Sequence, residues 1–407
     1  MRTVDEHRAA LLALVAALPP VTVPLSEALG RLLAADVVAA VDLPGFDNSA
    51  MDGYAVRSAD VAGASAASPV VLDVDGDIAA GDTRRHVLRP GVAMRIMTGA
   101  PLPEGADAIV PVEASDGGVS RVALTLAAEV GRHLRSQGED VHVGDVVLRG
   151  GTRLGPGQVA LAAASNVAVV TVAPRPRVTI LSTGDELVPP GTPLEHGQIV
   201  DSNSVMLAAL VSAAGAEVVG RSPLDDDAEA MASLLRDVPG QPDLVLTTGG
   251  VSMGAYDTVK EVLSDTGTVD FVKVAMRPGM PQGAGVVGEQ RTPIITLPGN
   301  PVSSFVSFHV FVLPVLRALA GLDPEVATTE AMAAEGWSSI GGKVEFTRVV
   351  LGADGARPSG GQGSHMLGAL AEATHLAVVD AETTQIRPGD TVQLVSLVGE
   401  NLPRGHR

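Results

Sequence analysis

The sequence contains no cysteine, three lysines and nine aromatic residues (Phe, Trp and Tyr) in a chain of 407 residues. The absence of cysteine excludes disulfides, thiolate nucleophiles and cysteine-ligated zinc or iron–sulfur centres. The scarcity of aromatic side chains argues against base-stacking platforms for single-stranded nucleic acid. The hydrophobic cores are therefore expected to be aliphatic, built mainly from Ala, Val and Leu.

Excess positive charge and membrane-spanning runs are also lacking. The formal net charge is −19, which argues against nucleic acid or an anionic membrane surface as a general partner. The apolar run Ala9–Leu18 follows acidic residues and has helical periodicity, so it predicts an amphipathic helix rather than a signal peptide. A second run, Ser303–Leu316, is interrupted by His309 and Pro314 and is judged too short to span a bilayer. We expect no membrane contact.

The length of 407 residues predicts two to four domains. Turn signals recur about every ten residues over 45–140, which predicts an inserted β-rich domain. Residues 1–44 and 141–172 flank it and are expected to form one split linking domain. Strand and helix patterns alternate over 173–321 and predict an α/β domain, and short strands over 322–407 predict a small C-terminal β-barrel. The fold class is thus multidomain, α/β plus all-β.

Three apolar runs in the α/β segment end in glycine or proline turns, namely Arg177–Leu187, Asp243–Asp257 and Thr292–Ser304. Helical patterns separate them, and residues 201–204 supply N-cap candidates for the first helix. Strands that alternate with helices in this way predict a parallel sheet with right-handed crossovers. The turns are then expected to meet at one edge of the sheet, where ligands bind in such folds.

The second turn offers a backbone suited to a phosphate. Gly249 and Gly250 allow an anion to approach the main chain, while Thr248 and Ser252 carry hydroxyl groups. The same residues also fit a tight strand-to-helix turn capped by Asp257, and the local sequence does not choose between the two. It is neither a Walker loop nor a G-x-G-x-x-G motif.

Carboxylates cluster in sequence near these turns, at Glu186 and its neighbour Asp185, in the run 225–227, and at Asp257. Mg²⁺ takes oxygen ligands and often bridges carboxylates to phosphate. For the 225–227 run, stabilisation of a helix N-terminus explains the acids equally well. Lys273 and Arg277 lie four residues apart and present two cations to an oxyanion, or else form part of a solvated face.

Several long motifs stand in one order along the chain. They are NSAMDGYAVR from Asn48, RIMTGAPLPEGADAIVPVE from Arg95, Gly138-Glu139-Asp140, STGDEL from Ser182, TTGGVSMG from Thr247, KVAMRPGMP from Lys273 and LPGNPVSS from Leu297. In order and spacing this set resembles the molybdopterin molybdenumtransferases, a family to which the molybdate-inserting half of gephyrin also belongs. The resemblance covers residues from about 5 to 400.

The resemblance implies a four-domain, cytoplasmic homodimer that inserts molybdate into adenylated molybdopterin and releases AMP. It implies Mg²⁺ as the cofactor and contact with the molybdopterin adenylyltransferase as a further partner. It also implies a site to which the α/β domain of one subunit and the β-rich domain of the other contribute.

The resemblance assigns roles residue by residue. Catalytic positions are Asp52, Thr98, Asp140, Glu186, Asp226 and Asp257, of which Glu186, Asp226 and Asp257 are the expected metal ligands. Substrate-binding positions are Arg135, Thr248, Gly249, Gly250, Ser252, Lys273, Arg277, Pro298, Pro301, Ser303, Arg348 and Ser364. Among these, Ser303, Arg348 and Ser364 match positions linked to molybdate.

One departure from the family pattern stands in the Arg277–Met280 segment. Family members commonly carry a lysine at both basic positions of this stretch, whereas this chain has Arg277 and Met280. Arginine can hold an oxyanion through two hydrogen bonds, but methionine removes a cation. Two alternative functions remain open. One is molybdopterin adenylylation, because adenylyltransferases resemble the α/β domain. The other is a non-catalytic cofactor-binding scaffold, which the loss of a cation at Met280 favours.

Overall fold

The protein was analysed as a computed structural model that describes residues 1–224, 228–249, 262–263 and 268–397. The chain divides into two compact units. One is Thr22–Val172, and the other combines Met1–Val21 with the chain from Ala173 onwards. The finer four-domain division stays a prediction.

The helices of the described part are short. They are α1 (Val4–Leu12), α2 (Ser58–Val61), α3 (Pro156–Ala164), α4 (Ser202–Ala213), α5 (Ala228–Arg236), α6 (Pro301–Ser307), α7 (Leu313–Leu319) and α8 (Leu367–Glu372), with a π-helical turn at Phe308–Val312 between α6 and α7.

The unit Thr22–Val172 is built mainly from strands. They are β1 (Val21–Pro24), β2 (Val37–Val38), β3 (Asn48–Ser49), β4 (Gly53–Val56), β5 (Val70–Ile78), β6 (Val92–Ile96), β7 (Ala108–Pro111), β8 (Arg121–Leu124), β9 (Leu134–Arg135), β10 (Val146–Leu148) and β11 (Val169–Val172). Five of them form one sheet in the order β7-β4-β6-β5-β8.

Strand β4 lies between β7 and β6, and both of its faces are covered. Tyr54 and Val56 belong to the core on one face, and Ala55 belongs to the core on the other. Alternate residues of a strand point to opposite faces, so a run in which all are apolar or small predicts burial on both sides. Separately, Val23 and Leu154 share a third core in which segments from both sides of the β-rich region pack together.

The other unit contains two larger sheets. Its strands are β12 (Arg177–Thr183), β13 (Leu187–Val188), β14 (Ile199–Val200), β15 (Glu217–Leu224), β16 (Leu244–Thr248), β17 (Val269–Lys273), β18 (Met276–Arg277), β19 (Pro281–Val287), β20 (Thr292–Leu297), β21 (Thr328–Met332), β22 (Trp337–Ser338), β23 (Val344–Gly352), β24 (Gly355–Pro358), β25 (His375–Val379), β26 (Gln385–Ile386) and β27 (Thr391–Ser396).

The first of these sheets has the order β15-β12-β16-β20-β19-β17. Its first four strands are parallel, as the alternating pattern predicts. The parallel arrangement predicted for the strands that end in the three turns and for Glu217–Leu224 is confirmed, whereas β19 and β17, for which the sequence predicted no direction, form antiparallel pairs. The reason is the length of the connections: residues 288–291 and 274–280 are too few for the crossover that parallel strands need.

The second sheet has the order β18-β23-β25-β27-β21, and β24 pairs with the end of β23 on the same edge as β18. An isolated bridge between Ala333 and Ala356 joins the end of β21 to β24 and so returns the sheet on itself. Val349, Ala377 and Leu394 fill the enclosed core. The multidomain fold class, with an α/β sheet, a β-rich module and a small C-terminal barrel, is confirmed.

The helical stretch Pro301–Leu319 lies in the largest core. The stretch has 19 residues and an 18-residue window with a mean hydropathy of 1.7, so by length and composition alone it could cross a membrane, and the prediction that this run is too short was wrong. The helix continues through Pro314, which is the second residue of α7 and follows the π-helical turn directly. A proline is tolerated in the first turn of a helical segment, because its missing N–H would have little use there. Since 83% of its apolar window is buried, it has the character of a core helix.

Two histidine side chains, His7 and His309, are buried against this core. His7 lies edge-on to Phe311 at 4.8 Å between ring centroids, and His309 lies 4.7 Å from Phe305. No ring nitrogen of either has a partner in the part of the chain that the structure describes. Burial lowers the pKa of each imidazole to about 4, so both are neutral at pH 7.

We predict that acid loosens this core. Because the folded pKa lies below the ordinary value of 6.5, stability is complete above pH 6.5 and is lost as the pH falls towards about 4. The loss should reach roughly 3 kcal/mol per histidine. The hydrogen-exchange protection factors of the Pro301–Leu319 amides, which correct for the intrinsic pH dependence of exchange, should fall over this range in the natural protein and much less in His7→Phe/His309→Phe. Replacing the exposed His196 by Gln should change nothing; an equal acid response in the double variant would refute the assignment.

Candidate functional site

The carboxyl ends of β12, β16 and β20 lie side by side. Ser182 pairs with Thr248, which in turn pairs with Leu297, so the three strands end at the same level. The turns that follow them begin at Gly184, Gly249 and Pro298. The sequence-predicted meeting of the three turns is therefore present, and we call this place the strand-end crevice.

Glycine backbone brings the turns into contact. Gly249 has a φ of +90°, and a Cβ added there would lie 2.6 Å from the carbonyl oxygen of Thr183. A Cβ added at Gly299 would lie 3.4 Å from Gly249 Cα. The first turn thus touches the second and the second touches the third, with no room for side chains between them.

Two residues of α4 connect these turns, although the sequence indicated them only as cap candidates. Asn203 Nδ2 donates to Thr248 Oγ1 at 2.9 Å and to the Gly299 carbonyl at 2.8 Å. Asp201 accepts from the Ser204 N–H at 3.0 Å, as a helix cap, and from Ser182 Oγ at 2.8 Å. Both lie within a few residues of a helix start, where polar residues are expected anyway, so the local pattern conceals their second role.

Several polar atoms of the strand-end crevice are buried without a protein partner. Within the described ranges these are the hydroxyls of Thr183, Thr247 and Thr296 and the Oδ1 atom of Asn203. Thr247 and Thr296 are register partners on adjacent strands. Buried polar groups are rarely left unpaired in a native protein, so such a set favours a polar ligand or ordered water.

The predicted metal ligands fall partly within the described chain. Glu186 is exposed in the first turn, and its carboxylate lies over Gly184, where an added Cβ would be 2.6 Å from Oε2. Asp226 and Asp257 lie outside the described residues, as do Gly250 and Ser252. Among the residues that are described, no group of three His, Asp or Glu side chains could hold a metal ion. Of the three predicted metal ligands, Glu186 is therefore the one whose position at the crevice is described.

The two predicted cations lie in different sheets. Lys273 ends β17 in the α/β sheet, whereas Arg277 lies in β18, which pairs with β23 of the C-terminal sheet. Arg277 Nη1 is 3.8 Å from Glu345 Oε1, and both cations are exposed side chains. Lys273 and Arg277 therefore share neither a helix face nor a single strand, as their four-residue spacing had suggested. The chain leaves the α/β sheet and joins the C-terminal sheet between them.

The third turn carries the remaining predicted contacts of the α/β segment. Pro298 is buried, and its carbonyl is 3.4 Å from Thr248 Oγ1. Pro301 stands at the first position of α6, where its missing N–H costs little, and Ser303 is buried two residues further on. The Val302 N–H donates to the Ser364 carbonyl at 3.1 Å. The loop that contains Ser364 therefore lies against the start of α6.

Arg348 holds that loop in place. Its side chain is 1% exposed, and it donates to the carbonyls of Met366, Gly361 and Gly363 at 2.9, 2.6 and 3.2 Å. Burial lowers the pKa of this guanidinium from its ordinary value. The structure thus gives Arg348 the position of a residue that orders the loop around Ser364.

In the unit Thr22–Val172, Asp52 and Thr98 form a hydrogen-bonded pair. Asp52 Oδ1 accepts from the Thr98 N–H at 2.7 Å and from Thr98 Oγ1 at 2.8 Å. These two bonds, the backbone one first, hold the pKa of the Asp52 carboxyl below its usual value. Asp52 is thus kept ionised, as an electrostatic role requires.

Arg135 and Asp140 lie in the same unit, and Arg135 pairs with the strand next to the Thr98 turn. Asn48 of β3 pairs with Arg135 and also forms a bridge to Pro101, which follows Thr98 by three residues. The backbone N–H of Asp140 donates to the Leu43 carbonyl at 3.0 Å. The side chains of Asp52, Thr98, Arg135 and Asp140 are all exposed, so the four predicted residues of this unit present their polar groups to solvent.

We predict that Thr98→Val raises the pKa of Asp52. The variant removes the hydroxyl donor and keeps the backbone donor, so the carboxyl should titrate closer to its usual value, and the acid limb of any Asp52-dependent activity should move to higher pH. A ¹³C NMR titration of the carboxyl carbon measures this shift. Thr125→Val, which loses a hydroxyl bonded only to the Ala114 carbonyl, serves as control. An unchanged titration in Thr98→Val would contradict the role given to the hydroxyl.

Comparison with known proteins agrees with this architecture. Residues 2–165 match the MoeA N-terminal region (domain I and II), residues 179–318 a probable molybdopterin binding domain, and residues 330–397 the MoeA C-terminal region (domain IV). The three matches together cover most of the chain.

Full-length relatives are similar throughout. Molybdopterin molybdenumtransferase 2 of Mycobacterium tuberculosis is 47% identical, with 98% of this chain and 100% of that protein covered. Molybdopterin molybdenumtransferase 1 of the same organism is 38% identical, with 98% and 99% covered. The crystal structure of the molybdopterin biosynthesis MoeA protein of Pyrococcus horikoshii superposes with a TM-score of 0.81 at 31% identity, covering 97% of this chain and 98% of that one. Matches of this extent and identity show that the chain belongs to the molybdopterin molybdenumtransferase family.

Proposed function

We propose that this enzyme inserts molybdate into adenylated molybdopterin and releases AMP. The observation that carries the proposal is the strand-end crevice, where three glycine or proline turns meet and buried hydroxyls of Thr183, Thr247 and Thr296 have no protein partner in the described ranges. A ligand with phosphate and ring polar groups suits such a place, since backbone N–H groups and hydroxyls are available to it.

The chemistry needs charge neutralisation and a positioned nucleophile. Molybdenum bonds to the two sulfurs of molybdopterin, and one oxo ligand of molybdate leaves as water with the two thiol protons. An oxygen of water forms a bond to the AMP phosphorus; if an oxygen of molybdate attacks first, water then opens the adenylyl–molybdate anhydride and frees AMP. The bond from that phosphorus to the bridging oxygen breaks, and the oxygen leaves with the electron pair on the molybdopterin phosphate. A proton released by attacking water is accepted by a site carboxylate. Arg277 and Lys273 offset negative charge on the oxyanions. Ionised Asp52 orients the hydroxyl and N–H donors of Thr98.

Mg²⁺ is proposed as the cofactor, and it would neutralise charge on the phosphoanhydride when bound. Glu186 fits a hard cation, because its exposed carboxylate overlies a glycine at the mouth of the crevice. Asp226 and Asp257, outside the described residues, are the other proposed ligands. A homodimer, a cytoplasmic location and contact with the adenylyltransferase likewise remain proposals; sedimentation of the purified protein tests the first.

The decisive experiment uses the purified full chain with Mg²⁺, molybdate and adenylated molybdopterin. Release of AMP together with cofactor that activates a molybdenum-dependent apoenzyme supports the proposal. Intact substrate in a folded protein would contradict it and favour a scaffold. Formation of adenylated product from molybdopterin and ATP would instead favour the adenylyltransferase alternative.

We predict that Glu186→Gln lowers the rate of AMP release by at least about 100-fold at low Mg²⁺, because a neutral amide is a weak magnesium ligand. Higher Mg²⁺ should recover part of the activity. Glu195→Gln removes the same charge from an exposed site a few residues away and should leave the Mg²⁺ dependence unchanged. An identical Mg²⁺ dependence in Glu186→Gln and the natural protein would exclude Glu186 as a ligand.

A further inference from the structure

Lys343 lies beside the turn Arg277–Met280, 63 residues away from Met280 in sequence. Its Nζ atom is 3.5 Å from Met280 Sδ. The backbone fixes this approach, since the next residue, Val344, pairs with Met276 and donates its N–H to the Ala275 carbonyl at 3.0 Å. The contact thus follows from the pairing of β18 with β23.

The ammonium group of Lys343 has only a weak partner. A thioether is a poor hydrogen-bond acceptor, and an ammonium carries three donors. In the part of the chain that the structure describes, no carboxylate comes within 4.0 Å of Lys343 Nζ, whereas neighbouring Arg277 has Glu345 at 3.8 Å. Lys343 is also half-buried, so part of its hydration is already lost. Its charge is available to an anion.

The turn beside it is packed firmly against α6. Gly279 has a φ of +94°, and a Cβ added there would lie 2.8 Å from Ser307 Oγ. Gln282 Nε2 donates to Ser307 Oγ at 2.6 Å and to the Gly279 carbonyl at 2.7 Å. Ser303 precedes Ser307 by one helical turn and so shares its face of the helix. Arg277 and Lys343 thus border this turn, and Ser303 lies one helical turn from the serine that packs against it.

We propose that Lys343 supplies the second cation for the oxyanion at this turn, in the place where Met280 provides none. In the bound state its ammonium exchanges the thioether for an oxygen of a tetrahedral, doubly charged oxyanion such as molybdate. Arg277 holds another oxygen through its planar fork. The positive charge is thereby delivered from the C-terminal sheet rather than from the turn itself. This inference rests on the proposed function, because it assigns the oxyanion of that reaction.

The test measures binding of molybdate alone to the full-length protein by calorimetry, apart from AMP release. Lys343→Gln should weaken molybdate binding about 10- to 100-fold, the equivalent of one charge-assisted hydrogen bond. AMP release should show a raised KM for molybdate with kcat retained. Lys343→Arg should keep most of the affinity. Arg357→Gln, which removes one positive charge from an exposed position of the same sheet, should bind as the natural protein does.

A charge-relocation variant makes the test sharp. In Lys343→Gln/Met280→Lys the cation returns to the turn, and molybdate affinity should recover to within a few fold of the natural value. Unchanged affinity in folded Lys343→Gln, or no recovery in the double variant, overturns the proposal. If the natural protein binds molybdate and responds as described but releases no AMP, the proposed function fails while the role of Lys343 stands. If AMP is released and molybdate binding by Lys343→Gln is unaffected, the proposed function stands and the role of Lys343 fails.

Discussion

Gly249→Ala is expected to abolish binding of molybdopterin and to destabilise the α/β sheet. The backbone at this position has a φ of +90°, and the added Cβ would lie 2.6 Å from the Thr183 carbonyl oxygen and 2.9 Å from Thr183 Oγ1. A left-handed conformation costs alanine about 1–2 kcal/mol, and the clash with main-chain atoms adds about 1–3 kcal/mol. Because backbone cannot rotate away as a side chain can, the first two turns must separate. Equilibrium binding of molybdopterin and urea unfolding measure the two effects.

The matched control for this prediction is Gly191→Ala. Gly191 has the same φ of +90°, but nothing lies within 4 Å of an added Cβ. This variant therefore carries the conformational cost without the clash, and it should lose only about 1–2 kcal/mol and keep full ligand affinity. Equal behaviour of the two variants would show that contact between the turns is unimportant for the strand-end crevice.

Arg348→Met is expected to disorder the loop around Ser364 and to reduce AMP release about 100-fold or more. The guanidinium is buried and holds the carbonyls of Gly361, Gly363 and Met366 through three bonds. Three carbonyls lose their charged donor together, and each buried acceptor that is left unpaired costs about 1–3 kcal/mol. Hydrogen exchange of residues 359–366 should rise sharply, and the Val302 N–H should lose protection because its acceptor is the Ser364 carbonyl.

Arg348→Lys separates positioning from charge. Lysine keeps the positive charge but lacks the planar fork that reaches several carbonyls at once, so the loop should remain disordered and activity low. Recovery of activity in Arg348→Lys would show that charge at the site, rather than order of the loop, is the contribution of this residue. Ser364→Ala should lower activity without any change in hydrogen exchange of the loop.

The local elements of this protein were predictable because they depend on residues near in sequence. The N-cap of α4 at Asp201, the strand Glu217–Leu224 and the proline at the start of α6 follow from periodicity and turn chemistry. The meeting of the three turns was also predictable, since parallel strands must end at the same edge. The antiparallel pairing of β19 with β17 and β20 was not predicted, because the residues of these strands suit either strand direction. Only the short connections between them decide that the strands run antiparallel.

The contacts that give the site residues their roles could not be predicted in this way. Arg348 has the same residue type whether it binds an anion or orders a loop, and only its 1% exposure and its carbonyl partners distinguish the two. Arg277 and Glu345 meet because β18 leaves the α/β sheet and joins the C-terminal one. Hydrogen bonds and ion pairs between distant segments depend on distances of a few ångströms, which no local pattern encodes.

The sequence by itself determined the family, the strand and helix pattern and the glycines that the turns require, because each depends on residue identity at short spacing. It also indicated a missing cation at Met280. The tertiary structure alone decided that the ammonium of Lys343 stands against that methionine and that Asn203 links two turns. The physical reason is that charge and hydrogen bonding act through space, and only the folded chain brings together residues that the sequence keeps far apart.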